Sequence, residues 1–292
     1  MYLAADRKRK VKAENSAQDR LLEALYGHWF GRLLLKPFVS PACSRLGGWV
    51  LDSQASKWLI RPFIRNHSID MSEYVPKKYT SYNDFFKREM KRGTRKIEQG
   101  GHIWVSPCDS RVTVIKITDK SIFSVKQTRY TVESLLKNRR LAEGFADGYL
   151  WIFRLCVEDY HHYIYVDDGY VSRNIHIPGI FHTVNPAAGD RLPIYKENTR
   201  EYALLRSSNF GPVIQMEVGA MLVGKIENTP GKKVVRRGEE KGCFAFGGST
   251  VILMTQAGKA CPDEDILRNS ELGIETKVKL GERVGRRHIP AK

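Results

Sequence analysis

His162-Tyr-Ile-Tyr-Val-Asp-Asp-Gly-Tyr-Val-Ser-Arg-Asn-Ile-His-Ile177 sets two β-type runs, 162–166 and 170–177, on either side of Asp167-Asp168-Gly169. An Asp-Gly pair between alternating runs predicts a hairpin, because a tight primed turn needs the backbone freedom that glycine supplies. Working outward, similar runs occupy 112–117, 122–126, 149–156, 213–218, 221–226 and 251–255, with turn residues between them and one helix near 131–140. The expectation is a strand-rich, mainly antiparallel domain over residues 101–292.

The first hundred residues read differently. Leu21, Leu25, Trp29 and Leu33 recur at spacing four, with Leu22, Tyr26, Phe30 and Leu34 beside them, which predicts a helix with a wide apolar face. A second candidate helix begins near Ser53 and carries Ala55, Leu59, Ile60, Phe63 and Ile64, with Lys57, Arg61 and Arg65 between them. A short capped helix over 81–92 follows. The predicted fold class is therefore α+β: a basic, helical, amphipathic arm over 1–100, then the β-rich domain. The apolar faces either pack on the rest of the chain or, with Trp29, Trp49 and Trp58, settle at a membrane interface.

The chain carries 48 Lys+Arg against 32 Asp+Glu, a net charge of +16 over 292 residues. Residues 1–100 hold 20 basic and 10 acidic side chains, so the arm carries most of the excess. Basic charge attracts phosphates of any kind, but here it lies beside Trp-rich apolar faces and no nucleic-acid recognition motif, which favours anionic lipid over nucleic acid. No apolar run approaches the roughly 18 to 20 residues that span a bilayer. Five cysteines without a Cys-x-x-Cys pair argue against a disulfide framework and against a zinc ribbon, and no metal site is expected.

Phosphate-loop, dinucleotide-loop, zincin and nucleophile-elbow motifs are absent. What stands out is Cys243-Phe-Ala-Phe-Gly-Gly-Ser-Thr-Val-Ile-Leu-Met254, in which two glycines and two hydroxyls interrupt an apolar stretch. Either this is a β-bulge whose hydroxyls bond to backbone, or Gly248 is approached closely and attacked by the Ser249 hydroxyl. A base is available in Asp159-Tyr-His-His-Tyr-Ile-Tyr165, where adjacent residues of a strand point to opposite faces, so at most one of His161 and His162 shares a site with Ser249. Asp109, in Ser106-Pro-Cys-Asp109, fits either an Asx-turn or a functional acid.

Together these residues resemble the phosphatidylserine decarboxylase proenzymes. The resemblance rests on Ser81-Tyr-Asn-Asp-Phe-Phe86, Ser106-Pro-Cys-Asp109, Asp159-Tyr-His161, Phe181-His-Thr-Val-Asn-Pro186, Val218-Gly-Ala220 with Val223-Gly-Lys-Ile226, and Arg237-Gly-Glu-Glu-Lys-Gly242 leading into Gly247-Gly-Ser-Thr250. It covers nearly the whole chain and is most specific in the last block, as in the subgroup whose cleavage string is Gly-Gly-Ser-Thr.

The resemblance implies that Ser249 attacks the Gly248 carbonyl, so that the precursor splits into a β chain, 1–248, and an α chain of 44 residues, 249–292, headed by a pyruvoyl group derived from Ser249. That group would form a Schiff base with the amine of phosphatidylserine and release phosphatidylethanolamine and CO2. Asp109 would orient a histidine, and His161 would act as base or proton donor. Many members place a second histidine three residues after the first. Here that position is Ile164, which passes its task to His161 or to His182. Peripheral attachment to the cytoplasmic face of an anionic membrane is expected, and a homodimer is compatible with the reading. The competing readings are an inactive lipid-binding relative and the same chemistry on a related amino-lipid.

Overall fold

A computed structural model describes residues 2–8, 10–14, 41–118, 122–125, 128–180, 182, 194–220, 225–245 and 249–288. The helix expected around Leu21 to Leu34, the expected strand start at 221–224, and Gly247 and Gly248 lie outside the described residues.

The chain opens with strands β1 (Tyr2–Ala5) and β2 (Val11–Glu14). Helix α1 (Pro41–Asp52), a 3-10 turn (Gln54–Leu59), α2 (Ile60–Asn66) and α3 (Tyr82–Phe86) follow. Next come β3 (Ile103–Val105), β4 (Ser110–Lys116), β5 (Ile122–Val125) and β6 (Thr128–Thr131). Helices α4 (Val132–Leu136) and α5 (Arg139–Glu143) precede β7 (Tyr149–Leu155), β8 (His162–Ile164), β9 (Gly169–Val171) and β10 (Ile175–Ile177). After α6 (Ile194–Glu197) run β11 (Arg200–Ser207), β12 (Gly211–Val218), β13 (Ile226–Asn228), β14 (Lys233–Val235) and β15 (Glu240–Phe244). The last segment holds β16 (Ser249–Thr255), β17 (Ala260–Pro262), α7 (Glu264–Glu271), β18 (Glu275–Val278) and β19 (Arg283–Arg287).

The expected α+β class is what the chain adopts. One large sheet runs β14-β9-β11-β12-β16-β7-β4-β18-β1-β2, with β10 added beside β11, and smaller sheets β13-β15-β8 and β17-β19-β3 accompany it. Only β1 with β18 is parallel among the described pairs. Strand periodicity explains two cores, one on each face of the large sheet. Trp151, Phe153, Val213, Val251 and Leu253 face Trp104, Tyr163 and Phe244 of the smaller sheets. Leu150, Ile152, Ile214, Met216, Ile252 and Met254 face the layer of Val132, Leu135, Leu136 and Phe145. Strand β16 is therefore buried on both sides, and all seven of its residues are buried.

Three expectations are corrected. Residues 162–166 and 170–177 do not form a hairpin: β8 pairs with β15, whereas β9 and β10 pair with β11. The cause lies in Asp167, whose buried carboxylate accepts hydrogen bonds from Arg237 Nη2 at 2.7 Å and Asn209 Nδ2 at 2.9 Å. The Asp-Gly segment is thus an anchored crossover between sheets, and Gly169 is required by packing, since a Cβ there would lie 2.2 Å from the Arg206 carbonyl oxygen. The helix near 131–140 is two, because Lys137 adopts the left-handed conformation at φ 51°. Tyr2–Ala5 and Val11–Glu14, within the range assigned to the helical arm, instead extend the edge of the large sheet through β1 and β18.

Of the arm's described part, Leu59, Ile60, Phe63 and Ile64 pack on Tyr82, Phe85 and Phe86 of α3. The Ser81 hydroxyl caps α3 by accepting the Asp84 N–H at 3.0 Å. Packing thus claims the apolar face of the second helix, while Leu46, Trp49, Val50 and Trp58 stay exposed.

Candidate active site

Five strands of the large sheet end or begin at one edge row. Arg200 pairs with Val218, Val218 with Thr250, Thr250 with Arg154, and Arg154 with Arg111. Ser249 heads β16 one residue beyond this row, Asp109 precedes β4, and the Asp159-Tyr-His161 segment follows β7. The sheet therefore gathers at one end the segments that the sequence reading singled out.

Ser249 is wholly buried, and its Oγ has no hydrogen-bond partner among the described residues. The same holds for Thr250 Oγ1. A buried hydroxyl without a partner costs free energy on the order of 1–3 kcal/mol, so two in succession mark a position where fold stability alone does not explain the sequence. Gly248, the other half of the expected cleavage site, lies outside the described residues.

His161 is fully buried against Phe86, with ring centroids 4.2 Å apart. Its Nδ1 lies 2.9 Å from the Asp159 carbonyl oxygen. A carbonyl only accepts, so Nδ1 carries the proton and Nε2 is the basic nitrogen. The His161 carbonyl in turn accepts the Phe244 N–H at 3.0 Å, which ties this segment to β15 five residues before Ser249. His162 turns elsewhere, stacking on Tyr160 at 4.6 Å and meeting Glu240 at 3.0 Å through Nδ1. The two adjacent histidines thus point into different surroundings, His161 lying just before β8 and His162 at its start.

Asp109 is held from several sides. Its carboxylate accepts from Arg95 Nε at 3.0 Å and Arg95 Nη2 at 2.7 Å, from the Leu280 N–H at 2.8 Å, and lies 3.5 Å from Lys279 Nζ. No histidine is among these partners of Asp109 within the described residues. Burial pushes its carboxyl up, but Arg95, Lys279 and the Leu280 N–H outweigh this and hold it below the ordinary carboxylate range. Ile164, at the position where many members place a second histidine, packs with Tyr74, Tyr160 and Leu280.

His182 is held by its backbone, donating its N–H to Asn198 Oδ1 at 2.9 Å and accepting from Asn198 Nδ2 at 2.7 Å. Asn198 Nδ2 also reaches the Gly219 carbonyl at 2.7 Å, just past the end of β12. The His182 ring lies 3.6 Å from Glu197, and burial lowers its pKa against that carboxylate's pull.

Two groups escaped the sequence reading. The Asp159 carboxyl, buried and opposed by Arg111, is pushed up to about 6, and it accepts the Cys156 N–H at 2.8 Å. Arg95 lies in a basic run, and nothing in Lys91-Arg-Gly-Thr-Arg-Lys96 distinguishes it from its neighbours. Asp159 had a signal, its place directly before Tyr160 and His161, but spacing does not show burial.

Comparison with known proteins bears on this arrangement. The family model described as phosphatidylserine decarboxylase matches residues 82–286. The chain is 42% identical over 278 residues to the phosphatidylserine decarboxylase proenzyme 2 of Clostridium acetobutylicum, covering 95% of each. It is 40% identical to the phosphatidylserine decarboxylase proenzyme of Clostridium tetani, covering 96% of this chain and 97% of that one. Against the proenzyme of the same name from Fusobacterium nucleatum the identity is 37%, over 94% of each chain. With a family model matched over residues 82–286 and relatives matched over 95% and 96% of its length, the chain belongs to the phosphatidylserine decarboxylase family.

Proposed function

We propose that this chain is the precursor of a phosphatidylserine decarboxylase that cleaves itself between Gly248 and Ser249 and works through a pyruvoyl group made from Ser249. The observation that carries the reading is Ser249 itself: a wholly buried hydroxyl without a hydrogen-bond partner among the described residues, heading a central strand at the end of the sheet where His161 is found.

In the first step the Ser249 oxygen attacks the carbonyl carbon of Gly248 while a base takes the hydroxyl proton. The 248–249 peptide bond breaks and an ester to the Ser249 oxygen replaces it. Elimination then expels the Gly248 carboxylate with the β chain, and hydrolysis removes the Ser249 nitrogen as ammonia. His161 suits the base, since the Asp159 carbonyl fixes its proton on Nδ1 and leaves Nε2 to accept. A pyruvoyl end fits this buried position, because plain hydrolysis would leave an α-ammonium group there, and a buried charge without partners is costly. When present, the group supplies an electron sink for the carbon that loses CO2. His161 would then return a proton to that carbon.

The strand order supports a two-chain product that stays together. Strand β16 lies between β12 and β7, and β18 between β4 and β1, so the α chain is laced into the β chain by ladder hydrogen bonds on both sides. Substrate in a bilayer suits the exposed face of α1 and the 3-10 turn, where Trp49 is 72% and Trp58 71% exposed beside exposed Lys57, Arg61 and Arg65. No helix among the described residues is long and apolar enough to cross a membrane. The test is release of CO2 from vesicles containing phosphatidylserine, with phosphatidylethanolamine as product. Ser249→Ala should abolish it, and turnover by that variant would overturn the reading.

A further inference from the structure

Lys241 and Glu217 form an ion pair that the chemistry above does not use, and both side chains are wholly buried, Nζ lying 2.6 Å from Oε2. Asn228 completes the cluster. Its Oδ1 accepts from Lys241 Nζ at 2.9 Å and from Tyr163 OH at 3.0 Å, while its Nδ2 donates to Glu217 Oε2 at 3.0 Å and to Glu201 at 2.6 Å. The neighbouring Gly242 lets the strands close over it, since a Cβ there would lie 2.3 Å from the Glu227 carbonyl oxygen.

A fold-only account leaves this pair unexplained. Taking two charges out of water costs about as much as their attraction returns, and well-packed apolar replacements of buried pairs are commonly neutral or stabilising. The cost is not fully met here, because Glu217 Oε1 has no hydrogen-bond partner among the described residues. What the pair does secure is a fixed distance between two particular strands. Lys241 is in β15, which ends at Phe244 and feeds the segment leading to Ser249. Glu217 is in β12, directly opposite Val251 of β16 and on the same face as Ser249, two residues away. One pair thus links the strand entering the cleavage segment to the neighbour of the strand leaving it.

We propose that Lys241 and Glu217 are positioning residues for self-cleavage, holding the two flanks of the 245–249 segment at the separation that brings the Ser249 oxygen onto the preceding carbonyl. The proposal rests on the self-cleavage reading above.

Two paired substitutions test it. Lys241→Met with Glu217→Leu removes the tie and keeps the volume. Lys241→Gln with Glu217→Gln keeps a hydrogen-bonded tie without charge. Each is made in the full chain, where denaturing mass spectrometry follows appearance of the 249–292 fragment, and in a Ser249→Ala background, where thermal melting reports folding. The apolar pair should fold and cleave at least tenfold more slowly, and the amide pair should cleave within about threefold of the parent rate. Decarboxylation per carbonyl-reactive end should stay at the parent value in both, since the pair acts before that end exists. Parental cleavage by a folded apolar pair overturns the proposal, as does a tenfold loss in the amide pair. If the apolar pair does not fold, the amide pair decides alone. A parent chain that never cleaves overturns the self-cleavage reading itself, a different outcome from these.

Discussion

Arg95 grips Asp109 with two nitrogens, Nε at 3.0 Å from Oδ1 and Nη2 at 2.7 Å from Oδ2, in a pair whose side chains are 11% and 4% exposed. This fork fixes the loop before β4, joining it to the segment after α3 and, through Leu280, to the turn after β18. Removing one partner of a buried pair strands the other, which costs about 3–5 kcal/mol. Arg95→Leu in the Ser249→Ala precursor should lose stability of that order by denaturant unfolding, and Arg95→Lys less. A loss under about 1 kcal/mol in Arg95→Leu would show that Asp109 does not depend on this fork.

The pH dependence of stability has opposite signs at the two buried acids. Asp159 is raised from 3.8 to about 6, so its contribution is full below pH 3.8 and is lost as pH rises through about 6. Asp109 is lowered, so its contribution is present above pH 3.8 and is lost as pH falls through its folded value. Asp159→Asn in the Ser249→Ala background should flatten the decline in melting temperature between pH 4 and 6.5. An unchanged slope in the Asn variant would assign that decline to other groups.

The adjacent histidines should separate in function. His161 is fully buried, with Nδ1 on the Asp159 carbonyl, while His162 lies between Tyr160 and the half-exposed Glu240. His161→Ala should reduce cleavage or turnover by about 10²–10⁴-fold, the range for loss of a general acid–base group. His162→Ala should cost under tenfold. Equal losses, measured by fragment formation and CO2 release, would contradict the assignment.

Much of the fold was legible where strands are buried on both faces. Strands β7, β12 and β16 announce themselves through largely apolar runs, interrupted only by residues such as Arg154, Gln215 and Glu217, and the sheet built on them carries the proposed site. Strand β15 was not legible, because Glu240-Lys-Gly reads as a solvent-facing turn until Lys241 is seen paired with Glu217 inside the protein. Strands β18 and β19 were hidden for a different reason, since the exposed Lys277 and Arg286 and the half-buried Arg283 interrupt their apolar pattern. The Asp-Gly signal at 168–169 misled because local turn chemistry cannot show that Asp167 is engaged by Arg237, seventy residues away. At the proposed site, the segments of Ser249 and His161 stand out in the sequence by their neighbours, whereas the partner of Asp109 does not, since Arg95 is one of several cations in its run.

Membrane attachment should depend on the exposed rings before α2. Trp49→Ala with Trp58→Ala should weaken binding to vesicles containing anionic lipid by about tenfold or more, and raised salt should weaken the parent as Lys57, Arg61 and Arg65 are screened. Sedimentation with vesicles is the measurement. Unchanged binding would move the contact to another surface.

Self-cleavage is tested most directly by denaturing mass spectrometry of the full chain after incubation. Two species are predicted, residues 1–248 and a 44-residue fragment from 249 that lacks a primary amine at its first residue, while Ser249→Ala stays whole. A parent chain that persists as a single 292-residue species would contradict the account.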